Sequence, residues 1–229
     1  FVKEEVLEFV KVRESGKAKS PSLRYSKGTF TVIKPEGLTL DVEGVVENNL
    51  DWFESRLGEA QSYREQVPDR SFEDGETFNV LGDKKQVIVE KRRSNKVDED
   101  ILLAQHLVER TSLKDQLEKA LKSFAREVFN KKASKHVSKV DGSFNRIFIR
   151  DQSTRWGPCS SKNNLNFNWR LVLGPEHVLE YVVVHEVVHL ELMNHSKEFE
   201  TRVEEIFPEA STSKKWLENN SAKLVFDNE

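Results

Sequence analysis

Two histidines and a glutamate with the spacing H-E-x-x-H are the residues of this chain best suited to metal binding and catalysis. They are His185, Glu186 and His189, and a third histidine, His195, follows ten residues after the first. On a helix, residues i and i+4 lie on one face, so His185 and His189 can bind one metal ion together. Glu186 then lies about 100° further around the helix, where it can accept a proton from a metal-bound water.

The third histidine lies too far along the chain to share that face of a straight helix. His195 can reach the same metal ion only if the chain bends after His189, and Asn194 is our predicted bend residue. Three nitrogen ligands with one position left for water are typical of a catalytic zinc ion. The sequence therefore predicts a Zn²⁺ site formed by His185, His189 and His195, with Glu186 as the general base.

The residues around the motif are compatible with either a strand or a helix. The valine-rich segment 181–188 would suit a strand, in which Glu186 would point away from both histidines. The residues before the segment favour a helix. Gly174 would end the preceding element, Pro175 suits the start of a helix, and Glu176 would lie in the first turn, where the helix dipole favours an acidic side chain. The apolar stretch 178–193 is also longer than an ordinary strand. We therefore predict a buried helix.

Composition places the chain among soluble globular proteins. It has 229 residues, of which 37% are hydrophobic and 33% charged, and no apolar run is long enough to span a membrane. The segment Phe1–Glu5 has no secretory character. The single cysteine, Cys159, excludes an internal disulfide and a cysteine-rich zinc site, and it fits a reducing compartment. We expect a cytoplasmic protein without membrane contact.

Charge is concentrated in one segment. Residues 110–155 carry 12 basic and 5 acidic side chains, although the whole chain has a net charge of −3. Leu113, Leu117, Leu121 and Phe124 recur there at helical spacing, which predicts a basic helix over about 111–136. Its cations could form an ordinary solvated face or could contact the phosphates of a nucleic acid or nucleotide.

The order of predicted elements indicates an α+β protein with two parts. Residues 1–109 are predicted to form an N-terminal β-rich unit with one helix, over about 42–66. Residues 110–229 are predicted to form a second unit that carries the motif. A hairpin is predicted around Gly82-Asp83, and later strands at 145–150 and about 165–171. The remaining histidines, His106, His136 and His177, and the residues Met193, Trp156 and Trp169 are interpreted as structural or packing residues.

Several of these motifs together resemble the YgjP-like metal-dependent hydrolases. The resemblance is carried by the segments Arg155–Ser160, Asn164–Asn168, Tyr181–Leu190 and Asn194–Ser196 with Phe199. It implies a zincin-like minidomain, with a small antiparallel sheet beside the active-site helix. The same resemblance implies that His185, His189 and His195 are the ligands and that Glu186 is the base. SprT-like DNA-dependent proteases are similar in their core.

In zincins an edge strand beside the active-site helix pairs with an extended substrate. Asn163-Asn164 would turn a hairpin and leave Leu165–Trp169 as that edge, so a polypeptide substrate and peptide-bond hydrolysis are expected. One alternative is a zinc-dependent hydrolase of nucleotides or phosphate esters that uses segment 110–155, and another is a DNA-associated protease. A third is a non-catalytic zinc module, against which Glu186 argues because a structural site needs no base.

Overall fold

The computed structural model describes residues 2–151 and 163–227. The chain divides into two compact units, Phe1–Pro68 and Asp69–Glu229. Helices and small sheets occur in both units, which confirms the α+β class. In the part of the chain that the structure describes, no helix has the length and apolar character needed to cross a membrane.

The first unit contains a three-stranded mixed sheet in the order β1-β3-β2. Its strands are β1 (Val10–Glu14), β2 (Ser22–Ser26) and β3 (Thr29–Lys34). β2 and β3 form an antiparallel hairpin, whereas β1 pairs with β3 in parallel. The two turn residues, Lys27 and Gly28, have φ angles of 50° and 68°. This is the left-handed conformation that two-residue hairpin turns favour.

Three helices accompany this sheet, namely α1 (Val2–Leu7), α2 (Val42–Glu47) and α3 (Leu50–Gln66). The single helix predicted over 42–66 is therefore interrupted. At the interruption, the side-chain amide of Asn49 donates a hydrogen bond to the carbonyl of Val45 at 2.8 Å, a local bond that competes with continuation of the helix. Phe30, Val46 and Phe53 are fully buried in the core of this unit.

The second unit begins with a four-stranded sheet in the order β4-β5-β7-β6. Its strands are β4 (Thr77–Val80), β5 (Asp83–Glu90), β6 (Lys96–Val97) and β7 (Ile101–Ala104). β4 and β5 form the predicted hairpin. Leu81 and Gly82 make its turn, with φ angles of 55° and 97°, one residue earlier than predicted.

The rest of the second unit is mainly helical. Its elements are α4 (Gln105–Val108), α5 (Leu113–Val137), β8 (Arg146–Arg150), β9 (Asn164–Asn168), α6 (Glu176–Val188), α7 (Lys197–Ile206) and α8 (Ala210–Asn220). Short 3₁₀ helices cover Trp169–Leu173 and Ser221–Leu224. The strand predicted up to residue 171 thus ends at Asn168, whose side-chain oxygen accepts a hydrogen bond from the backbone N–H of Arg170 at 3.0 Å and caps the first of these turns.

The small sheet beside the motif helix contains a parallel pair of strands that the sequence did not predict. β8 and β9 pair in parallel, from Arg146 with Asn164 to Arg150 with Asn168. Residues 151–163 separate the two strands, and parallel pairing requires a connection of about this length. Asn163, with a φ of 52°, turns into β9 as predicted. Residues 156–162, the other half of the expected hairpin, lie outside the described residues.

One hydrophobic core joins the strands β4–β7 to the helices that carry the motif. Phe78, Val87 and Leu103 are fully buried in the same cluster as Leu117 of α5 and Val183 of α6. The boundary predicted between residues 109 and 110 therefore falls inside the second unit. Local sequence could not reveal this, because contacts between β7 and α5 decide it.

α6 is a helix despite its valine-rich sequence. Pro175 precedes its first residue as the N-cap, and Glu176 lies in the first turn. Its side chains are buried on nearly every side, including Val178, Val183 and Val187. A helix that is apolar all round is stable when it is enclosed by other elements. The tertiary burial of α6 thus overrides its local β-propensity.

Candidate metal centre

The C-terminal end of α6 presents the first two predicted ligands. His185 lies in its last turn, and His189 is its C-cap with φ −63° and ψ −15°. Because the two residues are four apart, their imidazole rings lie 4.8 Å apart between centroids on the same face. The helix therefore holds both histidines in the arrangement that the motif predicted.

The third predicted ligand joins them. Nε2 of His195 lies 3.2 Å from Nε2 of His189 and 3.1 Å from Nε2 of His185. One ligand atom from each of the three histidines lies within 4.8 Å of the others. Three nitrogen atoms that converge in this way can bind a single metal ion, which would relieve the repulsion between their lone pairs.

The bend that returns His195 begins at the end of the helix rather than at Asn194. The backbone N–H groups of Leu190 and Glu191 bond to the carbonyls three residues earlier, both at 3.0 Å, and residues 189–191 form a turn. Asn194 lies at a later bend and does not have a positive φ. The tight last turn, which sequence alone did not indicate, therefore redirects the chain.

Neighbouring segments fix this turn in place. A Cβ atom at Gly142 would lie only 2.8 Å from the Cβ of Leu190, so a residue without a side chain is needed there. The carboxylate of Glu191 accepts a hydrogen bond from the backbone N–H of Asp141 at 3.3 Å and lies 3.6 Å from Nε of Arg202. Arg202 also donates to the carbonyl of Lys139 at 2.5 Å.

Phe199 forms an apolar wall against all three histidines. Its ring lies 4.9 Å from His185, 4.4 Å from His189 and 5.1 Å from His195, measured between ring centroids. Ser196 caps α7 by accepting a hydrogen bond from the backbone N–H of Phe199 at 3.3 Å. The ring is 2% exposed and restricts the rotamers of the three imidazoles.

The surroundings of His185 and His189 favour the neutral imidazole that a metal ligand must be. Burial, with smaller contributions from the neighbouring His189, His195 and Lys214, lowers the pKa of His185 to about 3. Burial also lowers the pKa of His189. Nδ1 of His189 lies 3.0 Å from the carbonyl oxygen of Leu192, to which it can only donate, and Nε2 is then left as the ligand atom.

The environment of Glu186 is typical of a carboxyl group that interacts with a bound molecule rather than with other residues of the protein. Its side chain is 2% exposed, and burial raises its pKa to about 8. Its Oε2 is buried without a hydrogen-bond partner among the described residues. A buried carboxyl oxygen in this state is costly unless a bound molecule satisfies it. Glu186 does not line the cavity beside the histidines, but its charge acts on Tyr181, which does.

A cavity of about 420 Å³ opens beside the histidine cluster. It has a buried apolar floor and an exposed polar rim, and its lining residues are Tyr181, His185, His195, Phe199, Glu200, Val203, Glu204, Ala210, Ser211 and Lys214. Sequence analysis did not identify Tyr181 or Lys214 as site residues. Tyr181 could have been found, because it lies four residues before His185 and hence on the same helix face.

A second cluster of ionisable groups connects α6 to the basic helix. Oε1 of Glu180 lies 2.8 Å from Nζ of Lys135 and 2.7 Å from Nε2 of His136, and its Oε2 lies 2.5 Å from Nζ of Lys132. Burial opposes ionisation of Glu180, but the hydrogen bonds from the two lysines and the histidine outweigh it and lower the pKa to about 2. Burial lowers the pKa of His136. This cluster attaches α6 to α5.

The predicted basic helix is present as α5, and several of its cations have internal partners. Lys132 pairs with Glu176 and Glu180, and Lys122 pairs with Asp151 at 2.8 Å. These ion pairs connect α5 to α6 and to Asp151, the residue that follows β8. The observed contacts therefore account for part of the positive excess without an external ligand.

Other predicted structural residues can also be placed. His177 pairs with the hydroxyl of Ser213 at 2.8 Å, His106 is exposed, and Trp169 is fully buried. Met193, interpreted as a packing residue, is instead 68% exposed, because it lies in the segment that follows the turn at the end of α6. Cys159 and Trp156 lie outside the described residues.

A buried helix with H-E-x-x-H at its end, completed by a third histidine, is the arrangement of a metal-dependent hydrolase. Comparison with protein families agrees, since the sequence matches the YgjP-like metallopeptidase domain over residues 19–220. The protein therefore belongs to the YgjP-like metallopeptidase family, which implies a metal ion and a hydrolase activity. Searches of curated proteins and of solved structures find no match.

Proposed function

We propose that this protein is a zinc-dependent peptidase that cleaves extended polypeptides. The observation that carries the proposal is the convergence of the Nε2 atoms of His185, His189 and His195, with Oε2 of the adjacent residue Glu186 buried without a hydrogen-bond partner among the described residues. Family membership supports a peptidase over other hydrolases. Each of the four residues comes from a short segment, 185–195, whose conformation the turn after α6 determines.

The donor set fits zinc. Zinc sites with imidazole ligands have Zn–N distances of about 2.1 Å, which at tetrahedral angles separate two nitrogens by about 3.4 Å. The observed separations of 3.1 and 3.2 Å are close to this value. A zinc ion held by three histidines supplies a water of lowered pKa and polarisation of the substrate carbonyl.

Glu186 would act first as a base and then as an acid. Its carboxylate accepts one proton from the attacking water, whose oxygen forms a bond to the carbonyl carbon of the substrate. When the C–N bond breaks, the leaving nitrogen takes up that proton. The second proton of the water then passes from the new carboxylic acid to the amine, and the products are a carboxylate and an ammonium group. Because its Oε2 makes no hydrogen bond to the described residues, Glu186 is available for this transfer.

The contacts of the basic helix do not favour the phosphate-ester alternative. Lys122, Lys132 and Lys135 are paired with carboxylates of the protein itself. Among residues 2–151 and 163–227, the three-histidine cluster is the metal-binding group found, and it contains no carboxylate of the kind that Mg²⁺ prefers. Cleavage of a polypeptide is therefore the reaction that the site supports best.

The test compares the zinc-loaded wild type with Glu186→Gln on an unfolded protein such as reduced, alkylated casein and on a panel of nucleotides. We expect the wild type to cut the unfolded protein and leave the nucleotides intact. Glu186→Gln should retain zinc and lose at least about 100-fold in turnover, because an amide cannot accept the proton. Glu127→Gln, at an exposed glutamate of α5 outside the site, is the matched control.

Release of phosphate from nucleotides that disappears in Glu186→Gln would instead support the phosphohydrolase alternative. Stimulation of cleavage by DNA, fading steeply as salt rises, would point to a DNA-associated protease. An unchanged rate of polypeptide cleavage in Glu186→Gln would contradict the assigned mechanism.

A further inference from the structure

The proposed hydrolysis places negative charge on the carbonyl oxygen of the substrate as water attacks. A preorganised hydrogen-bond donor aimed at that oxygen stabilises the transition state, and tyrosine hydroxyls are among the groups that serve as such donors. Among the described residues that line the cavity beside the histidines, three side chains other than the histidines can donate a hydrogen bond. They are Tyr181, Ser211 and Lys214.

Tyr181 is held at the histidine cluster by the helix that carries the motif. It precedes His185 by four residues, so the two side chains lie on one face of α6. Their ring centroids are 5.9 Å apart, in an edge-on arrangement. Tyr181 lines the same cavity as His185 and His195, and it is half-buried there. A molecule bound at the histidines would therefore lie beside this ring.

The hydroxyl of Tyr181 is available to such a molecule. Its ring contacts His185, and the charges of Glu218, Glu200 and Glu186 lie nearby. Its hydroxyl makes no hydrogen bond to a described residue. A half-buried phenol usually finds a partner for its hydroxyl. In this protein the partner is missing from the described part of the chain, and the hydroxyl belongs to a residue of the cavity.

The other two donors are less suitable. Nζ of Lys214 lies 3.7 Å from a carboxylate oxygen of Glu200, and its side chain is 53% exposed, so the ammonium is both partly neutralised and mobile. Ser211 is exposed on the rim of the cavity. Tyr181 has only two side-chain torsions, and its ring packs against His185, so little entropy is lost when it orders around a substrate.

We propose that Tyr181 is a catalytic residue that donates a hydrogen bond from its hydroxyl to the carbonyl oxygen of the scissile peptide bond. The bond strengthens as that oxygen becomes negative, so the hydroxyl stabilises the transition state more than the bound substrate. This assignment rests on the proposed peptidase function.

The experiment is the conservative change Tyr181→Phe, which keeps the ring and removes the hydroxyl. We expect kcat for an unfolded polypeptide to fall roughly 100-fold, with KM within about twofold and zinc content unchanged. A purely structural role would change stability or zinc content instead. Tyr25→Phe removes a phenolic hydroxyl from the first unit and should leave kcat unchanged.

A second measurement does not depend on turnover. A phosphinic peptide places a tetrahedral, negatively charged group where the oxyanion forms, so Tyr181→Phe should bind it at least about tenfold more weakly than the wild type. Equal affinity, or an unchanged kcat, would overturn the role of Tyr181.

A large loss of kcat in Lys214→Met with none in Tyr181→Phe would assign the donor to Lys214 and also overturn the role of Tyr181. A wild type that cuts no polypeptide would contradict the proposed function, while the phosphinic peptide would still test Tyr181.

Discussion

At the scale of single residues, the site depends on three imidazoles whose donor atoms face one another. Their Nε2 atoms approach to 3.1 and 3.2 Å, a separation that is unfavourable for neutral lone pairs in the absence of a cation. Phe199 blocks one side of all three rings, and the carbonyl of Leu192 orients His189. We therefore expect these residues together to favour a bound metal ion over an empty cluster.

Removal of any one imidazole should abolish stable metal binding. The purified wild type should carry about one zinc ion per chain, and His185→Ala, His189→Ala and His195→Ala should each lose most of it, because two nitrogens bind far more weakly than three. Metal content measured by mass spectrometry after dialysis checks this. His106→Ala, which changes an exposed histidine, is the control. Full zinc retention in His195→Ala would remove this residue from the ligand set.

The spacing of the three histidines was sufficient to predict that they meet. His185 and His189 share a face by helix geometry, and only a bend was needed to add His195. Sequence reasoning could not predict Phe199 as the wall or Lys214 at the cavity, because α7 and α8 bring them to the site through tertiary packing. It also placed the bend at Asn194 rather than in the turn at residues 189–191.

At the scale of secondary structure, α6 is positioned by its attachment to α5. Glu180 of α6 accepts hydrogen bonds from Lys132 and Lys135 and pairs with His136, all from α5. Such a buried carboxylate is stabilised only while its partners remain in place. The cluster therefore couples the basic helix to the position of the histidines on α6.

This cluster predicts how stability depends on pH. The pKa of Glu180 is lowered from 4.5 to about 2 in the folded protein, so its contribution is present above pH 4.5 and is lost as the pH falls toward 2. Glu180→Gln should be less stable by about 2 kcal/mol at pH 7, and the difference from the wild type should shrink between pH 4.5 and 2.

Urea unfolding of both proteins in the presence of a chelator measures this difference without a contribution from bound metal. Glu43→Gln, at an exposed ion pair with Lys3, should change the unfolding free energy by less than about 0.5 kcal/mol at any pH. A constant difference between Glu180→Gln and the wild type from pH 7 to pH 2 would contradict the assigned role.

Helix and strand types were largely predictable, whereas their pairing was not. The capping and flanking residues Gly174, Pro175 and Glu176 indicated a helix where β-propensity suggested a strand, and α6 is that helix. The parallel pairing of β8 with β9 was not predictable, because it depends on the path of a long connection rather than on local sequence. The break between α2 and α3 followed from a local hydrogen bond of Asn49, which the apolar pattern does not reveal.

At the scale of the whole molecule, the metal-binding residues and their supporting core lie within one compact unit. Asp69–Glu229 contains the histidines, Glu186 and the core that joins β4–β7 to α5 and α6. The family match, residues 19–220, extends across both units, so the first unit is a regular part of the family domain. The boundary predicted at 109/110 lies within the second compact unit, whose core is formed by hydrophobic contacts between distant segments.

Residues 69–229 should therefore fold and bind one zinc ion without residues 1–68. All side chains assigned to the site, and the hydrophobic cluster beneath it, belong to this part of the chain. Circular dichroism with zinc titration of the isolated segment checks the expectation, with its His189→Ala variant as the control. An isolated segment that is unfolded, or folded but unable to bind zinc, would show that the first unit is required for the site.

The central claim is that His185, His189 and His195 bind one zinc ion. Its most direct test is an anomalous difference map from a crystal of the zinc-loaded protein, recorded on both sides of the zinc absorption edge. We expect one strong peak that appears only above the edge, about 2.1 Å from Nε2 of each histidine, with the fourth position open to water or substrate. A peak coordinated by other residues, or no peak at these three nitrogens, would contradict it.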